Sequence, residues 1–343
     1  MSVSKLNDVA AAAGVSLSTA SKAINGRQGI SEEARAKVSR AVEELAYRHK
    51  PRAALSHATP KVTILFNHFS GPHTGPYTIG ILSGAAHAAN RAGAELVTTT
   101  LDGQRPSDRP LATAWLQDLA NRGNRGLIVV TGAVTDAQVR WCRKNRLPLI
   151  LIDPASANSE HVVTIGSTNW TGGWQAAEHL LGLGHRRIGF VRGPVDSLPA
   201  GERLQGFRSA MHAADVSIDE TLLAGTGFTP ESGRAAAHEI LDRDDRPTAV
   251  FAASDDVALG VFRAAERLGL SIPHDLSVVG FDDTAAASWT SPALTTVRQP
   301  LASIGQVAVE RVLALADDPE RFAHPFQLET RLVVRRSTSA PAV

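Results

Sequence analysis

Leu6-Asn7-Asp8-Val9-Ala10-Ala11-Ala12-Ala13-Gly14-Val15-Ser16-Leu17-Ser18-Thr19-Ala20-Ser21-Lys22-Ala23-Ile24-Asn25-Gly26 is the stretch whose reading decides how this chain begins. Leu6, Val9, Ala10 and Ala13 fall on one helical stripe, and Gly14 stands where a left-handed residue ends a helix. Val15 then enters the core, Ser16 is a natural N-cap, and residues 17–25 form a second helix closed by Gly26. Downstream, Ser31 caps a third helix with Glu32 and Glu33 in its first turn, where the helix dipole favours acids, and with Ala34, Val38, Ala41, Val42 and Leu45 as its buried face. Three short helices with a tight turn between the first two make a DNA-binding helix-turn-helix unit. Spacing and charge alone leave a three-helix cap or dimerisation element with no DNA role as the lesser alternative.

Outward from this head, 343 residues of which 43% are hydrophobic suffice for two or three compact units. The single cysteine, Cys142, excludes an internal disulfide framework and a Cys-rich zinc site, and fits a reducing compartment. Asn7 and Asp8 stand where a signal peptide needs its apolar stretch, and no run of 18 apolar residues occurs, so the expectation is a soluble, cytoplasmic protein with no membrane partner. Charge is unevenly divided. Residues 1–60 carry nine Lys and Arg against five acids, or +4, while the remaining 26 basic and 29 acidic residues leave −3. A basic head on a slightly acidic body is the asymmetry expected when the head approaches a polyanion.

The polar run Ser56-His57-Ala58-Thr59-Pro60 ends in proline, and Lys61-Val62-Thr63-Ile64-Leu65-Phe66 opens a strand, which places a boundary near residue 60. Strands are predicted at 62–66, 95–99, 126–130, 149–152, 187–190, 249–252 and 277–281, several too apolar for anything but a buried parallel sheet. Helices are predicted between them at 79–92, 171–183, 200–214, 229–241 and 255–268. This alternation over some 220 residues implies doubly wound parallel sheets in two lobes, with ligands beyond the carboxyl ends of the strands. Enzyme signatures are missing: Gly225-Thr226-Gly227 lacks the third glycine of a dinucleotide loop, and there is no phosphate-binding P-loop, Gly-x-Ser-x-Gly elbow or His-Glu-x-x-His helix. Neither Asp255-Asp256 nor Asp282-Asp283 can flank a scissile bond, because adjacent residues on a strand end point apart. No cofactor, metal site or catalytic residue is therefore expected. A small-ligand-binding module without operator-specific DNA binding is the rival to a regulator.

The residues themselves go further. Asp8-Val9-Ala10, Ala13-Gly14-Val15-Ser16, Thr19, Ser21, Ile24-Asn25-Gly26, Ile30-Ser31, Ala34-Arg35, Val38 and Leu45-Ala46-Tyr47 closely resemble the head of the lactose/galactose repressor (LacI/GalR) family of transcription regulators. The resemblance implies that the second helix lies in the major groove and reads base edges through Leu17, Ser18 and Lys22. Leu17 offers apolar contact to a thymine methyl, Ser18 gives or takes a hydrogen bond, and Lys22 reaches guanine or phosphate. Lys22 stands where the family usually has arginine, and lysine lacks arginine's planar fork for bidentate guanine reading. Ser16, Thr19, Ser21, Asn25 and Ser31 are candidate phosphate contacts, with caps and turns as the alternative for Ser16 and Ser31. After Tyr47 the family continues Tyr-x-Pro-Asn-x-x-Ala-Arg-x-Leu, whereas here Tyr47-Arg48-His49-Lys50-Pro51-Arg52-Ala53-Ala54-Leu55 lacks the arginine and brings leucine one position early. Leu55 is either the minor-groove wedge that kinks an operator or linker.

The body resembles the same family at Gly75-Pro76-Tyr77, Asn169, Gly172-Gly173, residues 183–190, Arg203-Leu204-Gln205-Gly206-Phe207, Ala253-Ser254-Asp255, Val278-Val279-Gly280-Phe281-Asp282-Asp283 and residues 292–300. This implies a helix-turn-helix domain over 1–47, a hinge over 48–60 and an effector-binding domain over 61–343. The latter would be periplasmic-binding-protein-like, with one lobe at about 61–163 and 293–320 and the other at about 164–292 and 321–340. Carried over by position, Arg203 would fork onto sugar hydroxyls or a carboxylate, Asp282 would accept from hydroxyls, Phe228 would stack on a ring and Tyr77 would line the other lobe. Asn169, Thr131 and Ser254, the last where the family often has asparagine, complete the set. Without the motif, Arg203 reads as a surface partner of Glu202 or Glu231, Asp282 and Asp283 as a strand-end turn, and Phe228 as core. The family further implies a homodimer on a near-palindromic operator of double-stranded DNA, controlled by a sugar or sugar-like effector.

Overall fold

The computed structural model describes residues 6–24, 30–45, 59–67, 75–101, 111–155, 162–319 and 324–342. The chain divides into two compact units, residues 1–58 and 59–343.

In the first unit, α1 (Leu6–Ala12), α2 (Leu17–Ile24) and α3 (Glu32–Glu44) enclose a small core of Val9, Ala10, Ala13, Ala20, Val38 and Ala41. Gly14 takes φ +62°, the left-handed conformation that ends α1, and the Val15 amide donates back to the Ala10 carbonyl at 3.1 Å. Ser16 Oγ accepts the Thr19 amide at 3.1 Å, and Ser31 Oγ accepts the Ala34 amide at 3.2 Å, so both serines cap helices. The Ala-rich core explains how three helices this short pack: small side chains let the axes approach closely.

The second unit holds two six-stranded sheets. The first has the order β11-β5-β4-β3-β1-β2, built from β1 (Lys61–Asn67), β2 (Glu95–Leu101), β3 (Asn124–Val130), β4 (Leu149–Ile152), β5 (Val163–Ser167) and β11 (Phe326–Leu328). The second has the order β12-β10-β9-β8-β6-β7, built from β6 (Ile188–Val191), β7 (Leu223–Ala224), β8 (Ala249–Ala252), β9 (Ser277–Asp282), β10 (Thr295–Arg298) and β12 (Arg331–Val333). Among the described residues all pairings are parallel except β10 with β12. Central strands β4, β6, β8 and β9 are buried along their whole length, as continuous apolar runs covered by helices on both faces must be.

This topology corrects the lobe limits expected from sequence. Residues 295–298 belong to the second sheet rather than to the first lobe, and residues 326–328 to the first sheet rather than to the second. The chain therefore crosses between lobes three times, near 168, 299 and 329. The short strands β10, β11 and β12 decide this, and strands of three or four residues carry too little periodicity to be placed from sequence.

Helices α4 (Pro76–Arg91), α5 (Thr113–Asn121), α6 (Asp136–Lys144) and α12 (Leu301–Asp317) cover the first sheet, while α7 (Asn169–Gly182), α8 (Leu198–Ala213), α9 (Pro230–Leu241), α10 (Asp255–Arg267) and the short α11 (Ala285–Trp289) cover the second. Three helix pairs cross at facing glycines. On α4 and α12, a methyl on Gly84 would be driven into the Ala302 carbonyl, and one on Gly305 into the Ile81 carbonyl. Gly173 of α7 and Gly206 of α8 stand in the same relation to Arg203 and Trp170, as do Gly233 of α9 and Gly260 of α10 to Val257 and Pro230. Among the described residues no helix is long and apolar enough to cross a membrane, and no cluster of His, Cys, Asp and Glu could hold a metal ion.

Candidate functional site

In the head, α2 presents Leu17, which is 49% exposed, together with exposed Ser18 and Lys22. An exposed leucine in the first turn of a capped helix has no folding role, since the core side of α2 is supplied by Ala20 and, in part, Ala23. Ser16 Oγ also lies 2.8 Å from Thr19 Oγ1 and 3.0 Å from Ser18 Oγ, so the hydroxyls cluster at the amino end of α2, where free amides and the helix dipole favour an anion. Ser21 is partly buried on the same helix. Asn25 and Leu55 lie outside the described residues.

In the body, Arg203 joins Asn169, Asp282 and Phe228, while Thr131 and Ser254 lie just beyond the carboxyl ends of their own strands. Arg203, on the first half of α8, is 3% exposed. Its Nε donates to Asn169 Oδ1 at 2.9 Å, its Nη1 donates to the Ala253 carbonyl at 2.6 Å, and Nη1 lies 3.8 Å from Asp282 Oδ1. The guanidinium sits over the Phe281 ring, 3.9 Å from its centre, and 6.0 Å from that of Phe228. Arg203 is thus no surface partner of Glu231, which pairs with Arg263 instead. Asp282 ends β9 at φ +119° and takes the Gln299 side-chain amide at 2.6 Å. Burial pushes the Asp282 carboxyl well above the usual carboxylate range, with Arg203 pulling it back. Asp283 turns the other way and binds Arg298 and Arg335, each at 2.5 Å, so the adjacent pair is divided between cleft and scaffold.

Phe228 is partly buried against both cores of the second lobe and touches Gly193, leaving no room there for a β-carbon. Ser254 caps α10, accepting the Val257 amide at 3.2 Å, which leaves its O–H free to donate. Thr131 follows β3 at φ +53°, with its hydroxyl donating to the Val130 carbonyl at 2.8 Å. Tyr77, in the first turn of α4, donates its hydroxyl to Asp153 Oδ2 at 2.5 Å. Desolvation and the Asp153 charge raise the phenol well above its ordinary pKa.

Asp153 is the site residue that the sequence reading missed. It follows β4 at φ +44° and is 5% exposed, and its carboxyl is raised by burial against the opposing pull of Tyr77 and Arg203. Its place directly after an apolar strand was a usable signal. Gln299, in the second crossover, was also missed.

Beneath the cleft, the wholly buried Asp255 accepts from Thr296 Oγ1 at 2.6 Å and from the amide and hydroxyl of Thr284 at 2.7 and 3.0 Å. Burial outweighs these bonds and raises its pKa from 3.8 to about 7. The folded chain thus holds a proton between those values that the unfolded chain has lost, so this group makes stability fall as pH rises from about 4 to 7. Asp255→Asn is expected to flatten that slope, read from urea midpoints at pH 4.5, 6 and 7.5; an unchanged slope would remove Asp255 as its source.

Comparison with known proteins places these features together. A model of the lacI family of bacterial regulatory proteins matches residues 5–50, and one of a periplasmic binding protein-like domain matches residues 177–338. The HTH-type transcriptional repressor PurR of Proteus mirabilis is 33% identical over 339 residues, 97% of this chain and 96% of that protein. The repressor of the same name from Photorhabdus laumondii is 32% identical over 333 residues, with the same shares covered. Among solved structures, the transcriptional regulator CelR in complex with cellobiose aligns at a TM-score of 0.72 with 32% identity, covering 97% of this chain and 99% of that one. The lac repressor dimer bound to operator and the anti-inducer ONPF aligns at 0.71 with 26% identity, covering 99% and 100%. Head and body both match these relatives along nearly their whole length, and the chain belongs to the lacI family of bacterial regulatory proteins, DNA-binding transcription regulators rather than enzymes.

Proposed function

We propose that this regulator acts in the cytoplasm as a homodimeric repressor of a near-palindromic operator, with its DNA affinity set by a sugar or sugar-like effector held between the lobes of the body. The observation that carries this reading is the buried Arg203, Asn169 and Asp282 group at the strand ends, beside Phe228 and facing Tyr77, in a chain whose head exposes Leu17, Ser18 and Lys22. A guanidinium and carboxylate beside an aromatic ring suit a polyhydroxylated ring: charged groups exchange hydrogen bonds with hydroxyls, and the aromatic face covers the C–H side. The cellobiose complex of CelR and a ribose complex of a LacI family regulator from Enterococcus faecium support the ligand class by likeness. Leu55 is taken as the minor-groove wedge on its place in the family's hinge motif alone, with linker as the alternative.

Lys22→Ala tests the head. It is expected to weaken operator binding about tenfold, in the range of one good base contact, and to flatten discrimination at one operator position, measured by fluorescence anisotropy on single-base operator variants. A uniform loss over all variants, with a shallower salt dependence, would make Lys22 a phosphate contact instead.

A further inference from the structure

Asp282 stands at the end of β9 in a backbone conformation that its surroundings must impose. It takes φ +119° and Asp283 takes φ +56°, two consecutive non-glycine residues with positive φ. L-residues keep such angles only where neighbouring contacts over-determine them. Both flanks of this turn are fixed. The strand before it pairs with β8 and β10, and the Thr284 amide and hydroxyl after it both donate to Asp255 Oδ2, at 2.7 and 3.0 Å. Between them the Asp283 side chain, 4% exposed, is held by both oxygens: Oδ2 accepts Arg298 Nε and Oδ1 accepts Arg335 Nη2, each at 2.5 Å. A carboxylate bound on each oxygen by a different guanidinium cannot rotate without breaking a charged hydrogen bond.

The two arginines are themselves anchored. Arg335 follows β12, donates Nη1 to the Leu294 carbonyl at 2.8 Å and its amide to Thr295 Oγ1 at 2.9 Å. Arg298 ends β10 in register with Asp282. Its neighbour Gln299 donates its side-chain amide to Asp282 Oδ1 at 2.6 Å and its backbone amide to the Asp282 carbonyl at 3.2 Å. Consecutive residues at the end of β10 thus hold consecutive acids, Arg298 the one behind the cleft and Gln299 the one within it.

We propose that Asp283, clamped by Arg298 and Arg335, is a positioning residue of the effector site, which holds the turn that aims Asp282 at the effector without touching the effector itself. This rests on the cleft being the effector site. Without the clamp the turn relaxes, the Asp282 carboxylate leaves Gln299 and Arg203, and effector affinity falls while the lobe stays folded. Asp283→Asn isolates the clamp, because asparagine tolerates positive φ as aspartate does and only the charged bonds are lost.

The test is calorimetric titration of the full chain with ribose, glucose and cellobiose, as wild type, Asp283→Asn, Arg298→Gln and Glu220→Gln. Glu220→Gln is the control, since it breaks an ion pair of the same lobe, to Arg208 at 2.7 Å, that involves neither acid of the turn. For the sugar that wild type binds best, affinity is expected to fall at least about tenfold in Asp283→Asn, about threefold in Arg298→Gln and less than about twofold in Glu220→Gln. Unchanged affinity in Asp283→Asn, or an equal loss in Glu220→Gln, overturns the proposal. The turn is also read without any ligand, by hydrogen exchange of the Gln299 side-chain amide in ¹H–¹⁵N spectra. Exchange at least about tenfold faster in Asp283→Asn than in wild type and Glu220→Gln upholds the clamp even if no sugar of the panel binds, in which case it is the sugar reading that fails. Unchanged exchange overturns the clamp. If Asp283→Asn does not fold, Arg298→Gln decides by the same two readouts, since Arg298 is 41% exposed and its loss leaves Asp283 paired with Arg335.

Discussion

Arg203→Ala is expected to lower effector affinity at least about a hundredfold and to destabilise the body by about 3 kcal/mol or more, while the separately folded head keeps its intrinsic operator contacts. The size follows from what the substitution strands. Asp282, 6% exposed, would keep only the Gln299 amide, and the Asn169 oxygen and Ala253 carbonyl would each lose a donor in a place closed to water. The Phe281 face would lose the cation stacked 3.9 Å from its centre. Arg203→Met separates the two effects, because it restores much of the buried stem without the charge. It is expected to recover part of the stability, read by urea denaturation, and none of the effector binding, read by calorimetry. Retention of effector binding in Arg203→Met would place the pocket elsewhere.

Gly84→Val is expected to cost about 3 kcal/mol, at the upper end for overpacking, and to abolish cooperative folding of the first lobe if the helices cannot part. The clash is with backbone rather than with the tip of a side chain. A β-carbon at Gly84 meets the carbonyl group of Ala302, and the reciprocal glycine, Gly305, meets that of Ile81, so neither helix can yield without moving as a whole. Residues of α4 and α12 that pack beside the crossing, Ile81, Ala85, Ile304 and Ala308, are fully buried in the core over the first sheet. Gly182→Val, at the end of α7 in the second lobe, is the control, since a β-carbon there meets nothing. Equal loss in both variants would show that helix propensity rather than the crossing sets the cost.

Much of this architecture was legible in the chain. Gly14, Ser16 and Ser31 announce the head because caps and left-handed glycines are local chemistry, and each performs the expected act. The strand 249–252 and the helix after it were readable to the residue or nearly so, because a run buried on both faces is apolar throughout and Ser254 starts the helix. What escaped was fixed by distant partners. β10, β11 and β12 exist through their pairing with β9, β5 and β10, and nothing in three residues says which sheet will accept them. Within the cleft, Arg203, Asn169 and Asp282 were named from motif position and meet within hydrogen-bond or ion-pair distance. Ser254 was named from the same kind of evidence and serves as a helix cap, a use that the residue type alone does not distinguish from ligand contact. Asp153 carries no motif of its own, and its bond to Tyr77 joins residues far apart in the sequence.

The regulator's central property is that one chain links a DNA site to a small-molecule cleft. Linkage requires operator and effector to change each other's affinity by the same factor, typically about 5- to 150-fold. The direct measurement begins with selection of duplexes from a random-sequence library by the full-length protein. Anisotropy titrations of the enriched duplex follow at several salt concentrations, with and without the sugar that binds. The account predicts enrichment of a near-palindromic site, tight and salt-dependent binding to it, and a sugar-induced shift matched by an equal shift of sugar affinity on adding duplex. No enriched sequence, or a sugar affinity that is the same with and without the enriched duplex, would contradict it.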